Sequence, residues 1–409
     1  MSVNRASTRA ILVTGGTGFL GSLVTAAALM ESDGTIVLPV REPYTRERVL
    51  APIAAELAAE GRPARAGDLA RVATLPLPPP ERIDELLHDL RDLGVRDILH
   101  CAGSLSYFNV RKLQAGNLDL TRAVLSLAMA LDVRRFVYLS TAYSAGFSDR
   151  PILETLHADP CNDPTDYTRT KREAEWMVAG SGLPYVIVRP STVIGDSRDG
   201  RYGGKPYGIY QLWTAGGRYL SSGFPRVLHV VAGNHPVNFL HQDAFKAAFW
   251  RAYTTLPDRT VMHLVSRDDA LPTMRDLWEL WLSVHGGPHE VHFFDRLDDV
   301  PIDEVAPAVR LWLDFTAVNN EIGSARWTFH CDRLEELRRN GLEMTDASLA
   351  TINVAQRRFV ADSPRLQRFV QRYRTQGAAA PRFVDRTREP AHPPTVRASS
   401  TVPFGTSLR

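Results

Sequence analysis

The sequence predicts an α/β fold: a doubly wound parallel sheet, a smaller, mainly helical C-terminal substrate subdomain and a disordered tail. Two observations predict it. Short apolar runs alternate with helical patterns through the first half of the chain, as in a parallel sheet with crossover helices. A glycine-rich turn also joins the first strand to the first helix. Right-handed crossovers would place a ligand at the carboxyl ends of the strands.

The elements follow in order along the chain. Strands are predicted at Ala10–Thr14, Thr35–Arg41, Arg96–Cys101, Arg135–Ser140 and Tyr185–Arg189. Helices are predicted near Phe19–Glu31, Arg82–Leu93, Lys112–Leu131 and Tyr167–Ser181, and the proline-rich stretch Pro76–Pro80 reads as a loop that starts a helix. Strands return at Val237–Leu240 and Val261–Ser266, with helices around Asp243–Tyr253 and from Thr273.

Three regions are expected. Residues 1–190 form the nucleotide-binding sheet core, and residues 191–375 form a substrate-binding loop and C-terminal subdomain, with the returning strands near 237–266. The segment Gly195–Gly223 is dense in Gly, Tyr and Ser and has no sustained period, which favours a binding loop or lid. Residues from about 290 to 375 read mainly as helix, and 376–409 as a disordered tail.

Composition excludes several classes of protein. With 409 residues, 44% hydrophobic and 23% charged, the chain is neither disordered throughout nor a small disulfide scaffold. A formal charge of +2 argues against nucleic acid as a partner. Three cysteines outside any CxxC spacing favour a reducing compartment and no metal site, and no apolar stretch reaches membrane-spanning length. We therefore expect a cytoplasmic protein.

The charge is unevenly distributed. Residues 363–409 hold nine arginines against Asp385 and Glu389, a surplus of seven that leaves residues 1–362 at −5. The globular part of the chain is therefore mildly acidic.

The glycine-rich turn has the features of a dinucleotide-binding fingerprint. It reads Thr14-Gly15-Gly16-Thr17-Gly18-Phe19-Leu20-Gly21. Gly15 would make the tight turn, Gly18 would let a pyrophosphate approach the backbone, and Gly21 would allow close packing of helix on strand. The helix N-terminus then presents unpaired N–H groups to the phosphates.

The end of the second strand indicates which dinucleotide binds. An acidic residue there would bind a ribose 2′-hydroxyl, whereas a cation suits a 2′-phosphate. The strand ends in Arg41, with Arg46 and Arg48 nearby, so NADPH is the expected cofactor. Gly67-Asp68-Leu69 is expected to follow the next strand and contact the adenine.

Tyr167 and Lys171 stand four residues apart in a predicted helix, so they share one face. An ammonium near a phenol lowers the phenol pKa and makes the tyrosine a usable proton donor. A hydroxyl that polarises a substrate carbonyl should lie at the end of the preceding strand, where Ser140 and Thr141 both stand.

These motifs, with His100-Cys101-Ala102-Gly103 and Asn117 between them, resemble the extended short-chain dehydrogenase/reductase superfamily, whose core is a Rossmann-type sheet. The second strand with Arg41 resembles its thioester-reductase and fatty acyl-CoA reductase ("male sterility") branch, and so do two further segments. They are Ser140-Thr141-Ala142-Tyr143 and Arg189-Pro190-Ser191-Thr192-Val193-Ile194-Gly195-Asp196-Ser197-Arg198-Asp199-Gly200. The similarity covers roughly residues 9–285.

The resemblance implies roles for particular residues. Thr141 would be the hydroxyl of a Thr-Tyr-Lys triad, with Ser140 as the alternative, and Asn117 would match the family's structural and catalytic asparagine. The residues implied at the cofactor, beyond the glycine-rich turn and Arg41, are Asp68, Leu69, Ala102, Gly103, Lys171, Arg189 and Pro190.

The resemblance also implies a reaction, in which NADPH reduces an acyl thioester to an aldehyde and then, in some members, to an alcohol. The thioester would reach this chain in trans, on a carrier protein or on CoA. Two alternatives stay open at this point. One is an NAD(P)-dependent epimerase, dehydratase or hydroxysteroid-type dehydrogenase on the same scaffold, and the other is a non-catalytic NADP-binding regulator.

Overall fold

The computed structural model describes residues 10–61, 66–106, 109–158, 162–220, 225–376 and 381–386. Its strands are β1 (Ala10–Thr14), β2 (Ile36–Val40), β3 (Val72–Pro76), β4 (Val95–His100), β5 (Arg135–Leu139), β6 (Tyr185–Pro190), β7 (Thr192–Ile194), β8 (Val227–Val231), β9 (Phe239–His241), β10 (Thr260–Leu264), β11 (Glu290–Phe294) and β12 (Arg382–Asp385). Its α-helices are α1 (Phe19–Glu31), α2 (Arg46–Ala59), α3 (Ala66–Ala70), α4 (Leu87–Asp92), α5 (Val110–Leu113), α6 (Leu120–Ala130), α7 (Asp166–Gly180), α8 (Ile209–Tyr219), α9 (Gln242–Thr255), α10 (Met274–His285), α11 (Pro307–Ser324), α12 (Asp332–Arg339), α13 (Leu349–Ala361) and α14 (Pro364–Gln376).

The central sheet has seven strands in the order β3-β2-β1-β4-β5-β6-β10, and every pairing in it is parallel. The strand order reverses between β1 and β4, which opens a crevice at their carboxyl ends. The predicted doubly wound α/β class is confirmed. The predicted strand near Val261–Ser266 is β10, which returns to this sheet beside β6.

Helices cover both faces of the sheet because its strands bury both faces. Ile11 and Val13 of β1 pack with α1, α2 and α9 on one side. Ala10 and Leu12 point the other way and pack with α4, α6 and α7. This alternation is the two-residue period of a strand, and burial on both faces explains why the strands read as continuous apolar runs.

The C-terminal subdomain has its own core and a parallel sheet in the order β12-β11-β8. Its centre is aromatic: Trp213 of α8 stacks on Trp281 of α10 with ring centroids 4.0 Å apart, and Trp312 of α11 is fully buried beside Trp278. Such rings bury large apolar areas.

The structure corrects the prediction of a loop throughout Gly195–Gly223, because α8 lies inside this segment. Its glycines obscured the helical pattern. Gly217 and Gly216 lie against Leu366 and Phe369 of α14, and a Cβ added to Gly217 would lie 3.0 Å from Leu366. The glycines therefore serve helix packing.

The predicted helical character of residues 290–375 is wrong at its start, where β11 forms. The predicted disorder of 376–409 is wrong at Arg382–Asp385, where β12 pairs with β11. Both strands are short and are stabilised by partners distant in sequence, which local patterns do not reveal. Residues 377–380 and 387–409 of the predicted tail lie outside the described residues.

No helix in the described part of the chain combines the length and apolar character that crossing a membrane requires.

Candidate active site

The glycine-rich turn lies at the carboxyl end of β1, beside the crevice. Gly15 has a φ of +72°, and a Cβ there would lie 2.7 Å from the backbone of Ala102. A Cβ on Gly21 would lie 2.1 Å from the carbonyl oxygen of Gly15. The glycines at these two positions are therefore required by backbone geometry and by close approach.

The N-terminus of α1 is open to a ligand. Gly18 is its N-cap and supplies no side-chain cap, so first-turn N–H groups are available to an anion. Thr17 and Gly18 are exposed, whereas Phe19 and Leu20 are half-buried. Thr14 has a different role, because its buried hydroxyl bonds to His100 Nδ1 at 2.7 Å and accepts from the amide of Ala102 at 3.3 Å. It ties β1 to the end of β4.

Arg41 is exposed immediately after β2, at the same edge of the sheet as the glycine turn. Arg46, at the first position of α2, donates to the carbonyl of Leu69 at 3.0 Å. Arg41 is thus placed at the strand end where a 2′-phosphate would lie in a Rossmann-type site.

The structure contradicts the reasoning for Asp68 and Leu69 as adenine contacts. Both lie in α3, which precedes β3, and not in the loop that follows a strand. Asp68 lies 3.8 Å from Arg71 in an i,i+3 ion pair. The loop at the carboxyl end of β3 begins at Leu77. Threonine and proline among the residues of β3 weaken its strand pattern, which explains the difference.

Tyr167 and Lys171 lie one turn apart near the start of α7, which a capping box between Thr165 and Thr168 begins. Tyr167 is half-buried and Lys171 is only 4% exposed. Lys171 Nζ donates to the carbonyl of Leu139 at 2.5 Å and lies 4.2 Å from the centroid of the Tyr138 ring. Burial lowers the pKa of Lys171 to about 7, against the opposing effect of Glu175.

His100 and Cys101 lie beneath this lysine. Burial, together with the charge of Lys171, lowers the pKa of His100 to about 3, so the imidazole is neutral and bonds to Thr14 and Thr121. Burial raises the pKa of the Cys101 thiol to about 12. Lys171 is therefore the group of this cluster that gains or loses its charge near neutral pH.

Asn117 joins the loop after β4 to α7. It lies in a π-helical turn, Gln114–Asp119, that interrupts the predicted helix Lys112–Leu131; such turns are frequent at functional sites. Its Oδ1 accepts from the amide of Ser104 at 2.7 Å, and its Nδ2 donates to Thr170 Oγ1 at 3.0 Å. A Cβ on Gly103 would lie 3.1 Å from Asn117 Oδ1 and 3.9 Å from Lys171 Nζ, so these residues meet at one point.

Thr141 and Ser140 have different surroundings. Thr141 caps the 3₁₀ turn Ala142–Ala145, where its Oγ1 accepts from the amide of Tyr143 at 3.4 Å. Its hydroxyl proton is therefore not committed by that bond. Ser140 donates its hydroxyl to the carboxylate of Glu175. This arrangement favours Thr141 as the hydroxyl that meets a substrate.

Glu175 is a site residue that the sequence reasoning missed. It is fully buried, accepts from Ser144 Oγ at 3.0 Å, and forms a two-point ion pair with Arg189 at 2.9 and 2.5 Å. Arg189 also bonds to His157 Nε2 at 2.8 Å. The available signal was its spacing, one turn after Lys171 on the same helix.

The ion pair corrects the expectation that Arg189 binds the cofactor. Its side chain is 0% exposed and its guanidinium is held by Glu175. Pro190, which ends β6, is also buried. A buried guanidinium requires a partner, and α7 supplies it.

The segment after β7 packs over the glycine turn. Tyr202 contacts Phe19 with ring centroids 4.7 Å apart. Arg198 pairs with Glu60 at 2.8 Å, and Arg201 with Glu56 at 3.1 Å, so the segment is bound to α2. It therefore lies between the nucleotide-binding core and the C-terminal subdomain.

The residues present fit a dinucleotide. Gly15 and Gly21 allow the tight turn because a Cβ at either would clash with backbone, the first turn of α1 offers N–H groups to a pyrophosphate, and Lys171 is buried close to Gly103. Fold and site together are those of a protein of the extended short-chain dehydrogenase/reductase type with a nicotinamide cofactor.

Residues 11–258 match the NAD dependent epimerase/dehydratase family, and the chain belongs to this family. The predicted superfamily is thereby confirmed. A comparison by sequence with characterised proteins found no match.

Solved structures share the fold. The terminal R domain from the myxalamid PKS-NRPS biosynthetic pathway is 19% identical, with a TM-score of 0.68 over 87% of this chain and 92% of that one. A thiolation-reductase di-domain from an archaeal non-ribosomal peptide synthetase is 16% identical, with a TM-score of 0.65 over 87% and 75%. DesIV, a dTDP-glucose 4,6-dehydratase from Streptomyces venezuelae, is 19% identical, with a TM-score of 0.60 over 87% and 97%.

Proposed function

We propose that this protein uses NADPH to reduce an acyl thioester to an aldehyde, with release of a free thiol. The observation that carries the proposal is the fold likeness to two reductase domains, whose TM-scores of 0.68 and 0.65 exceed the 0.60 of the dehydratase. The motifs at Ser140–Tyr143 and Arg189–Gly200 support the same branch.

The side chains have complementary roles in this reaction. Thr141 and Tyr167 donate hydrogen bonds to the thioester carbonyl oxygen, and the charge of Lys171 stabilises the phenolate that forms when Tyr167 gives up its proton. The bound cofactor supplies the hydride to the carbonyl carbon. The resulting thiohemiacetal loses its carbon–sulfur bond, and the products are an aldehyde and a thiol.

Asn117 and Glu175 hold this arrangement in place. Asn117 fixes the loop at Gly103 against α7, and Glu175 orients Ser140 next to Thr141. Thr141 and Tyr167 are thereby held in position as hydrogen-bond donors. Donors that are positioned in advance stabilise a developing oxyanion without reorganisation during the reaction.

NADPH is proposed over NADH because Arg41 follows β2. A guanidinium forms a charge-assisted bond with a 2′-phosphate. A NAD-dependent epimerase or dehydratase would instead be expected to have an acidic residue there.

The test follows NADPH absorbance and free thiol together, with N-acetylcysteamine and CoA thioesters of several acyl groups. We expect thiol only when NADPH is present, which separates reduction from hydrolysis. One NADPH per thiol reports aldehyde release, and two report further reduction to the alcohol. Turnover of a nucleotide sugar or simple ketone without thiol release from any thioester would reject the proposal in favour of the epimerase, dehydratase or dehydrogenase alternatives.

A further inference from the structure

Helices α13 and α14 form a strongly basic surface, called here the basic face. It comprises Arg357, Arg358, Arg365, Arg368, Arg372 and Arg374, all exposed. Neither helix contains an acidic residue, and Asp362, which lies between them, pairs with Arg358 at 2.8 Å. The basic face therefore keeps a surplus of positive charge.

The pattern of α14 separates this face from the core. Leu366, Phe369 and Tyr373 are buried in the core of the C-terminal subdomain. Arg365, Arg368 and Arg372 follow the spacing i, i+3, i+7, which places them together on another side of the helix. The helix thus presents a row of guanidinium groups to solvent.

The local electrostatics agree with this description. Burial and the nearby charges of Arg374 and Arg357 lower the pKa of His285 to about 4. Because residues 1–362 carry a formal charge of −5, positive charge is concentrated at this end of the chain. Such segregation attracts and orients an acidic partner.

Helix α8 connects the basic face to the candidate active site. At its carboxyl end, Arg365 Nε donates to the carbonyl of Gly217 at 3.3 Å. At its start, a Cβ on Gly208 would lie 2.7 Å from Thr192, which closely follows β6; β6 pairs with β5, which ends two residues before Thr141. The eleven residues of α8 span about 16 Å, so one short helix separates Thr192 from Arg365 of the basic face.

We propose that the basic face is the docking surface for an acidic carrier protein that presents the acyl thioester to Thr141 and Tyr167. This inference rests on the proposed function, since it supplies the partner that delivers the substrate. Nucleic acid is a weaker candidate, because the whole chain carries a charge of only +2.

The test compares two donors of one acyl group, chosen as one that turns over. The first is the uncharged N-acetylcysteamine thioester, and the second is the same acyl group on an acidic acyl carrier protein. In the double variant Arg368→Glu and Arg372→Glu, we expect kcat/KM for the carrier-bound donor to fall roughly tenfold or more. Turnover of the N-acetylcysteamine thioester should stay within about twofold, since the variant leaves the catalytic groups intact.

Salt and a matched variant provide the controls. Raising the ionic strength should lower carrier kcat/KM in the wild type and have much less effect in the double variant. The variant Arg82→Glu with Arg122→Glu makes the same charge change on exposed residues of the nucleotide-binding core, and it should leave carrier kinetics nearly unchanged.

Equal loss with both donors, no loss with either, or the same carrier defect in the control variant would overturn the docking surface. Loss of RNA binding in the double variant with unchanged carrier kinetics would also overturn it. The proposed function is tested separately by thiol release from the N-acetylcysteamine thioester, which needs no docking partner.

Discussion

Lys171 illustrates how the fold prepares a single side chain for chemistry. Its amino group is enclosed by Gly103, the Tyr138 ring and the carbonyl of Leu139. Removal from water lowers its pKa to about 7 and also strengthens its interaction with a neighbouring phenolate, since charges interact more strongly where water is excluded. The ability of Lys171 to stabilise the Tyr167 phenolate therefore depends on its burial as well as on the one-turn spacing of the two residues.

Tyr167→Phe should fold and bind NADPH as the wild type does, but it should lose about two to four orders of magnitude in kcat, the usual contribution of a positioned acid. Thioester turnover and a cofactor titration measure the two effects. Activity above a tenth of the wild type would show that Tyr167 is not the proton donor.

Ser140 and Thr141 should differ when each is replaced by alanine. Thr141→Ala should lower kcat by about a hundredfold or more, as the loss of one oxyanion donor does. Ser140→Ala loses a bond to the buried carboxylate of Glu175, so it should chiefly lower the free energy of unfolding, by about 1.5–3 kcal/mol. Turnover and thermal unfolding are measured for both variants. A larger loss of kcat in Ser140→Ala than in Thr141→Ala would assign the catalytic hydroxyl to Ser140.

Arg41→Ala should weaken NADPH binding about ten- to a hundredfold and NADH binding much less, because a charge-assisted hydrogen bond is worth about 1.5–3 kcal/mol. Dissociation constants for both cofactors, with Arg82→Ala as an exposed control, measure the effect. Equal weakening of the two cofactors would place Arg41 away from the 2′-phosphate.

At the scale of elements, the site is made by the contact of a few segments. The turn between β1 and α1 touches the end of β4 at Ala102, and α7 brings Lys171 and Glu175 against β5 and β6. These contacts are closely packed, so adding a single carbon atom at one of them should affect cofactor binding elsewhere in the crevice.

Gly21→Ala tests the closest of these contacts. Its Cβ would lie 2.1 Å from the carbonyl oxygen of Gly15, so backbone must shift, at a cost of about 1–3 kcal/mol or more. We expect a lower unfolding temperature and weakened NADPH binding. Gly180→Ala, where an added Cβ meets nothing within 4 Å, is the matched control. Normal cofactor binding in Gly21→Ala would show that the turn adjusts freely.

At the scale of the whole molecule, β12 completes the second sheet. β12 pairs with β11, and Asp385 pairs with Arg275 of α10 at 2.7 Å. The part of the predicted tail that forms β12 therefore belongs to the C-terminal subdomain.

Two truncations should behave differently. Removal of residues 387–409, a segment poor in large apolar residues, should leave the unfolding temperature and small-thioester turnover nearly unchanged. Removal of 377–409 also takes away β12 and the partner of Arg275, so it should lower the unfolding temperature. Thermal unfolding of both variants tests this, and identical transitions would mean that β12 adds no stability.

Much of the site could be read from local sequence. The glycine turn between β1 and α1, the one-turn spacing of Tyr167 and Lys171, and the arginine after β2 all depend on neighbours within a few residues. Backbone geometry relates such spacings directly to shared faces and turns. The fold class was predictable from the short-range periodicity of apolar residues in the strands and helices.

Tertiary structure decided the rest. Three features depend on contacts between segments that are far apart in the chain. They are the pairing of β11 with β12, the helix α8 within a glycine-rich segment, and the strand β3, which follows Asp68. Packing pairs Arg189 with Glu175 and commits the Ser140 hydroxyl to the same carboxylate, and burial lowers the pKa of Lys171. Desolvation and long-range pairing are properties of the packed molecule, because they depend on what surrounds a side chain in space and not on its neighbours in sequence.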